Sequence, residues 1–237
     1  MIKYLRYFYY LFYRPKIFFS KKSYSLLGED VFLNKYFLKQ KEGFYVDVGC
    51  YHPISGNNTY LLYKKGWNGI NVDSDEKSIS EFKRFRGDDH NINSLISGSR
   101  KKIKYYFYHD RSALNTVDSK LVRQRKTKPK KIIKMKTTTL NEILEQSPYK
   151  NKKINLLSID IENHEYEVLK NFNFKKYKID MIVTECLNLK LRKLETQNQT
   201  LEFILKSNIY KLLKKNNYKL INWVNSDLIF FNKNSKI

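Results

Sequence analysis

The sequence has few of the residues that mark several classes of protein. It contains two Cys, four Pro and eight Gly among 237 residues. Two Cys cannot form a disulfide framework, and the scarcity of Gly and Pro excludes collagen-like and linker-like chains. A C-x-x-C metal-binding motif is also missing from the sequence. We therefore expect a reducing compartment and predict a cytoplasmic protein.

Long apolar runs are missing as well. Residues 1–19 are rich in aromatic and basic side chains, and their longest uncharged run, Tyr7–Tyr13, has seven residues. A bilayer-spanning helix needs about 20 apolar residues, and a signal peptide needs a longer apolar centre and a cleavage site. Aromatic rings among cations suit a helix at a membrane surface, or one that packs on the core or on a second subunit. Peripheral membrane contact and a homodimer are both hypotheses for this segment.

Acidic residues are few compared with basic ones. The chain has 46 Lys and Arg against 23 Asp and Glu, a formal net charge of +23. Most of the basic residues are Lys, and Asn, Ile and Tyr are also frequent, which an AT-rich coding sequence would produce. The charge would still concentrate anionic partners. It does not choose among nucleic acid, acidic glycans and anionic lipid.

The first half of the chain predicts a parallel sheet with helices on both faces. Strands and helices alternate there, and turn residues separate them. The predicted elements are a strand at Phe44–Val48, a helix from Tyr60, a strand ending at Asp73, a helix at Ser78–Arg84 and a strand at Asn91–Ser97.

The regular alternation lapses in the middle of the chain and then resumes. Lys101–Tyr108 is predicted to be a strand, and Arg123–Lys136, with eight cations in fourteen positions, a solvated loop or a clamp for an anionic substrate. The later predicted elements are helices at Leu140–Glu145, Glu162–Asn171 and Thr200–Lys215, strands at Ile154–Asp160 and Asp180–Glu185, and a hairpin of Tyr218–Trp223 and Leu228–Phe231. We predict an arm at residues 1–24 and one domain at 25–237, with a basic insertion at about 99–150.

Acidic residues and a glycine follow the predicted strands, at the edge where open α/β sheets bind ligands. These residues are Asp47, Gly49, Asp73, Asp160, Glu162 and Glu185. Gly49 allows a ligand to approach the backbone, and Asp73, 24 positions later, is placed to accept hydrogen bonds from ribose hydroxyls. The sequence has no G-x-G-x-x-G motif, so it lacks the glycine-rich turn that binds the pyrophosphate of a dinucleotide. A ligand with a ribose and no phosphate fits better, which favours S-adenosylmethionine.

Several short motifs occur in a specific order along the chain. They are Ser25–Asp30, Gly43–Gly49, His52–Pro53, Asn58–Thr59, Gly66–Asp73, Thr139–Leu140 and Ser158–Glu165. In this order the chain resembles the FkbM-type methyltransferases, class I S-adenosylmethionine-dependent enzymes, from about Ser25 to Phe231. Two positions depart from the family: Glu162-Asn163 replaces an acid–glycine pair, and Cys50 replaces a small residue. Asn tolerates glycine-like backbone.

The resemblance implies an α/β fold with a Rossmann-like, mostly parallel sheet and an antiparallel C-terminal strand. It also implies methyl transfer to oxygen, commonly a sugar hydroxyl of a glycan or natural product. By position, the implied cofactor contacts are Asp47, Gly49 and Cys50 at the methionine end, Asp73 at the ribose, and Asn93 and Ser94 near the adenine. We add Asn58 and Ser74 to the predicted cofactor site. Burial as a filler is the alternative for Cys50.

The predicted catalytic residues are Asp160, Glu162, His164 and Glu185. A sugar hydroxyl is weakly acidic, so its methylation needs a base or a metal ion. His164 is the natural base, unless it lies on the helix surface. The three carboxylates could bind Mg²⁺ or another divalent cation. Alternatively, Glu162 stabilises a helix start and Glu185 pairs with a lysine.

Two other functions stay open at this point. An RNA ribose 2'-O-methyltransferase would need two lysines beside Asp160 and a later Glu, and Lys190 or Lys193 with Glu202 fit that spacing poorly. A non-enzymatic protein would bind nucleic acid or membrane through Lys and aromatic residues, and its binding would weaken steeply with salt. A sugar or glycan acceptor is the partner that we expect.

Overall fold

The computed structural model describes residues 12, 23–189 and 199–235. In chain order the elements are α1 (Glu29–Tyr36), β1 (Phe44–Val48), α2 (Tyr60–Lys64), β2 (Asn68–Asp73), α3 (Glu76–Phe85), β3 (His90–Asn93), β4 (Leu95–Ile96), β5 (Lys102–Phe107), α4 (Ser119–Gln124), β6 (Lys131–Thr138), α5 (Leu140–Gln146), β7 (Ile154–Ile159), α6 (Glu165–Leu169), β8 (Ile179–Glu185), α7 (Leu201–Lys206), α8 (Asn208–Lys215), β9 (Tyr218–Val224) and β10 (Asp227–Asn232).

The main sheet confirms the predicted α/β architecture. Within the described residues its strand order is β3-β2-β1-β7-β8-β10-β9. The strands from β3 to β8 run parallel, whereas β10 pairs antiparallel with both β8 and β9. The closing hairpin is therefore where the sequence predicts it. Strand order reverses between β1 and β7, which is the point where such sheets bind ligands.

The central strands are apolar because helices cover the sheet on both faces. Every residue of β1, β7 and β8 is buried. On one face α5, α6 and α8 contribute Leu144, Val168 and Leu213 to the larger core cluster. On the other face α1 and the segment before β2 contribute Leu33 and Trp67. Near-continuous apolar runs of this kind are typical of buried parallel strands.

A smaller sheet of order β4-β6-β5 corrects two predictions. The predicted strand Asn91–Ser97 is two strands, because β3 pairs with β2 while β4 pairs with β6. The predicted loop at Arg123–Lys136 is wrong over its second half, where β6 pairs antiparallel with β5. Lys134 and Lys136 are exposed there, whereas Ile133 and Met135, which alternate with them, are half-buried. Apolar and basic residues alternate along this strand, but the many lysines on its exposed face make the segment resemble a polar loop in composition.

Two predicted helices are also shorter than the sequence suggests. The helix predicted at Glu162–Asn171 begins only at Glu165, because Glu162 and Asn163 have φ values of 57° and 71°. A right-handed helix cannot include these left-handed residues. The helix predicted at Thr200–Lys215 is interrupted at Ser207, whose extended backbone and side chain cap α8.

The predicted amino-terminal arm lies almost entirely outside the described residues. Membrane contact and a homodimer through residues 1–19 therefore stay predictions, as does the division into an arm and one domain. Among the helices that the structure describes, none combines the length and the apolar character that crossing a bilayer requires.

Candidate active site

A cavity of about 330 Å³ opens at the carboxyl ends of β1, β2, β7 and β8. This volume is within the range of small-molecule sites. The cavity lies where the strand order reverses, as the topology predicts. The predicted site residues in its wall are Gly49, Asn58, Asp73, Ser74, Ser94, Asp160, Glu162, His164 and Glu185.

Gly49 directly follows β1 and lies against the backbone of Asp160, which directly follows β7, beside the cavity. Its φ is +78°, and its N–H donates to the Val72 carbonyl at 2.8 Å. A Cβ atom on this residue would lie 1.7 Å from the carbonyl oxygen of Asp160. Both the backbone angle and the space therefore require glycine here.

Asp73 ends β2 and turns its carboxylate into the cavity. One oxygen accepts from the Tyr51 N–H at 2.9 Å, and the other accepts from the Asp75 N–H at 2.8 Å. Each carboxylate oxygen has a second lone pair, so a ribose diol can still donate to it. Burial raises the pKa of Asp73 to about 6. Next to it, the Ser74 hydroxyl donates to the Tyr105 hydroxyl at 2.9 Å.

Three of the predicted cofactor residues do not line the cavity. The Asp47 carboxylate accepts hydrogen bonds from Asn57 and Thr59 behind the β1 turn. Cys50 is buried in a cluster with α3, as its alternative reading as a filler proposes. The Asn93 side chain is exposed and donates to the backbone carbonyl of Asp73 at 3.0 Å. In this structure the three residues support the cavity wall, and their contacts with the cofactor stay predictions.

A buried arginine that sequence reasoning missed organises this support. The Arg86 side chain is 0% exposed, and its Nε donates to Asp89 at 2.9 Å. Its other nitrogens donate to Asn57 at 3.1 Å and to Thr59 at 2.9 Å, the same two residues that bind Asp47. The Arg86 network therefore connects β1 and the start of α2 behind the Gly49 turn.

The opposite end of the cavity is lined by carboxylates. One oxygen each from Asp160, Glu165 and Glu185 lies within 4.8 Å of the others. The structure thus brings Glu165 to Asp160 and Glu185 in place of the predicted Glu162. The left-handed backbone at Glu162 directs that carboxylate to Arg125, with which it forms an ion pair. Glu162 is not the helix-start carboxylate that its alternative reading assumes.

Burial and mutual repulsion change the protonation of this acidic end. Burial raises the pKa of Asp160 to about 6, and burial with repulsion from Asp160 raises that of Glu162 to about 8. The pKa values of Glu165 and Glu185 are raised well above the usual range for the same two reasons. Asp227, at the start of β10, is also in the cavity wall, and burial raises its pKa strongly. These groups share protons or require a cation.

His164 lies in the cavity wall between the two ends. Its Nε2 atom is 2.9 Å from the Ser97 hydroxyl, and burial lowers the pKa of the ring. The imidazole is therefore neutral at neutral pH. The alternative that His164 lies on a helix surface is wrong, while its role as a base stays a prediction.

Three acids at this end were absent from the predicted site: Glu29 and Asp227 in the cavity wall, and Glu165 next to Asp160 and Glu185. Glu29 and Glu165 fall inside motifs that carry the family resemblance, so the sequence held a signal for them. Asp227 follows a hairpin turn and carried no signal of its own. For the RNA alternative, Lys190 and Lys193 lie outside the described residues, and Glu202 is an exposed partner of Lys206.

Comparison with known proteins gives one family match and several similar solved structures. The family model described as "Methyltransferase FkbM domain" matches residues 47–220. A search of curated proteins found no match. One similar solved structure, described as a type 11 methyltransferase from Sulfolobus solfataricus, has 13% identity and a TM-score of 0.43, and covers 90% of this chain and 96% of its own. Another, a TehB-like SAM-dependent methyltransferase from Corynebacterium glutamicum, has 12% identity, a TM-score of 0.44 and coverages of 95% and 96%.

Proposed function

The chain belongs to the FkbM methyltransferase family and is an S-adenosylmethionine-dependent methyltransferase, and we propose that it methylates a sugar hydroxyl of a glycan or a glycosylated small molecule. The family assignment makes the non-enzymatic alternative wrong. The acceptor, its position in the cavity and the proton transfer belong to the proposal.

The residues at the β1–β2 end of the cavity fit the cofactor. Asp73 offers two carboxylate oxygens to a ribose diol, and Gly49 lies in the same part of the cavity wall. Ser94, directly after β3, is in the wall beyond Asp73. The bound cofactor supplies a methyl group on a sulfonium, an excellent leaving group. The protein must therefore align an acceptor and remove its proton.

The observation that carries the proposed acceptor is the dense set of hydrogen-bond acceptors at the other end of the cavity. The wall there contains Asp160, Glu162, Glu185 and Asp227, with His164 beside them. Carboxylates accept hydrogen bonds from hydroxyl groups, and an array of them suits a polyol such as a sugar ring. Negative charge at the same place opposes a phosphate-bearing acceptor.

His164 is the group in this wall that we assign to proton removal. Its contact with Ser97 engages Nε2, which leaves Nδ1 as the ring nitrogen that can accept the acceptor's proton. His164 would take the proton that the acceptor hydroxyl loses, and the bound cofactor would supply the methyl group to that oxygen and keep the bonding electrons on its sulfur. Ser97 would fix the orientation of the ring during this step.

The basic stretch does not change this assignment. Arg125 directs its guanidinium to Glu162 and lies 5.7 Å from the centre of the Tyr108 ring. Its charge is therefore engaged by the protein, so Arg125 itself is not available to bind an anionic substrate. An RNA ribose acceptor is disfavoured because it would bring negatively charged phosphates to the carboxylates of the cavity wall.

The test is methyl transfer from radiolabelled cofactor to competing acceptors. Neutral oligosaccharides should accept label, and the phosphate-bearing sugar nucleotides and capped RNA should accept far less. His164→Gln should lower kcat while cofactor affinity, measured by calorimetry, stays within about twofold of the wild type. Preferential labelling of the RNA ribose would contradict the proposal. Cofactor binding without transfer to any sugar would reject the acceptor class alone.

A further inference from the structure

The carboxylates of Asp160, Glu165 and Glu185 converge from rigid elements. Asp160 directly follows β7, Glu185 ends the adjacent parallel strand β8, and Glu165 begins α6. One oxygen from each lies within 4.8 Å of the others. Ligands of one Mg²⁺ at about 2.1 Å lie up to about 4.2 Å apart, so a small inward movement completes such a site. Oxygen-only donors are the set that a hard divalent cation prefers.

A second observation comes from carboxylate oxygens that lack a donor. The Glu185 side chain is 9% exposed, and its Oε2 has no hydrogen-bond donor in the part of the chain that the structure describes. The same is true of Oε1 of Glu29, which is 1% exposed and lines the same cavity. A buried carboxylate without a donor or a cation is costly.

Among the described residues, the basic groups of the cavity do not satisfy this need. Arg125 pairs with Glu162, and Arg111, in the cavity wall, pairs with Glu81. Glu165 receives one hydrogen bond, from the Ile161 N–H at 2.7 Å, which fixes the side chain without balancing its charge. An ammonium group carries one positive charge, whereas a divalent cation carries two and can contact all three carboxyl groups at once. The charge therefore favours a divalent cation over an amine.

We propose that Asp160, Glu165 and Glu185 bind a divalent cation, Mg²⁺ or Mn²⁺, at the acceptor end of the cavity. Its part in the reaction rests on the proposed function: it would contact the acceptor oxygen and make that hydroxyl more acidic. The proton passes to His164 while the oxygen displaces the cofactor sulfur at the methyl carbon. Glu29 would contact the cation through a water molecule.

The test is Mn²⁺ binding to the cofactor-free protein, followed by electron paramagnetic resonance. The wild type should bind one Mn²⁺ per chain, in competition with Mg²⁺. Glu165→Gln and Glu185→Gln should each weaken this binding about tenfold or more, because each removes a charged ligand. Glu167→Gln is the matched control, since Glu167 lies on the same helix and pairs with Lys170. It should bind Mn²⁺ as the wild type does.

Thermal unfolding in chelator provides the second measurement. Both ligand variants should unfold at a higher temperature than the wild type, because each relieves the repulsion among the buried carboxyl groups, and added Mg²⁺ should stabilise the wild type most. Either variant suffices if the other fails to fold. Equal Mn²⁺ affinity in the wild type and a folded ligand variant would overturn the proposal. Methylammonium tests the alternative that the acidic cluster binds an amine. Stabilisation of the wild type by methylammonium against thermal unfolding, with no Mn²⁺ bound, would also overturn the proposal. Calorimetry with the cofactor in chelator separates this outcome from failure of the methyltransferase assignment.

Discussion

Replacing Arg86 should destabilise the fold more than replacing any exposed arginine. The Arg86 guanidinium is the cation between two buried carboxylates, Asp47 and Asp89, and it also packs on three aromatic rings. Arg86→Met keeps much of the side-chain volume and removes the charge. Asp89 retains donors from Tyr45, Gly69 and Asn71 but loses its counter-ion.

The magnitude follows from breaking a buried ion pair on one side. Such a change costs about 3–5 kcal/mol because the remaining charge is left uncompensated. For a domain of this length that corresponds to a fall in Tm of roughly 6–20 °C. The total stability of a domain is only about 5–15 kcal/mol, so the variant would be close to unfolding at growth temperature.

The assay is thermal unfolding followed by circular dichroism, with Arg100→Met as the surface control. Arg100 pairs with Glu142 across side chains that are 65% and 31% exposed, so its loss should cost at most about 1 kcal/mol. Arg86→Lys should fall between the two, because an ammonium keeps the charge but not the planar fork of donors. Equal Tm values for the Arg86→Met and Arg100→Met variants would refute the reasoning.

The pH dependence of this variant has a defined sign. Burial raises the pKa of Asp47, and Arg86 acts in the opposite direction, so the pKa of Asp47 must rise further in Arg86→Met. A carboxyl whose pKa is higher in the folded state favours folding while it is protonated and loses that contribution as the pH rises through the folded pKa. The Tm deficit of Arg86→Met should therefore be smaller at pH about 5 than at pH about 8.

The remaining predictions concern the cofactor end of the cavity. Cofactor affinity should weaken as the pH falls through about 6, the pKa of Asp73, because the protonated carboxyl is a poorer acceptor for the ribose hydroxyls. Asp73→Asn should bind weakly at every pH, and calorimetry that shows wild-type affinity would reject the ribose assignment. Gly49→Ala should lose cofactor binding and unfold at a lower temperature than Gly66→Ala, which has a φ of +98° but nothing within 4 Å of its new Cβ. Equal Tm values for the two would contradict the close approach of β1 and β7.

The parallel sheet was predictable because its strands are buried on both faces. Phe44–Val48, Ile154–Asp160 and Asp180–Glu185 are short apolar runs that end in or beside an acid, and turn signals bound them. The acids then fall at one edge by topology alone, which is why Asp73 and Asp160 were found. The strand Lys131–Thr138 was missed in the sequence analysis because pairing with β5 stabilises it. Such pairing cannot be inferred from the composition of one strand alone.

Side-chain direction and long-range partners could not be read from the sequence. Glu162 and Glu165 lie in one motif, and only the left-handed backbone at Glu162 and Asn163 decides which of the two acids meets Asp160. Arg86 looks like any surface cation in the sequence. Its burial depends on Asp89 and on rings from β1, α2 and α3, which only the folded chain brings together.

The net charge shows why composition is a poor guide to the acceptor. The chain carries +23, yet the cavity wall holds a cluster of carboxylates whose pKa values are raised by burial and by each other. Charges on the surface are screened by salt over about 10 Å, whereas charges in a partly enclosed cavity act on a ligand at contact distance. Surface lysines can therefore draw an anionic polymer or membrane toward the protein while the reacting hydroxyl meets an acidic site. An acceptor that is neutral where it enters the cavity, and anionic elsewhere, is compatible with both the basic surface and the acidic cavity wall. A sugar within a larger anionic glycan has that property.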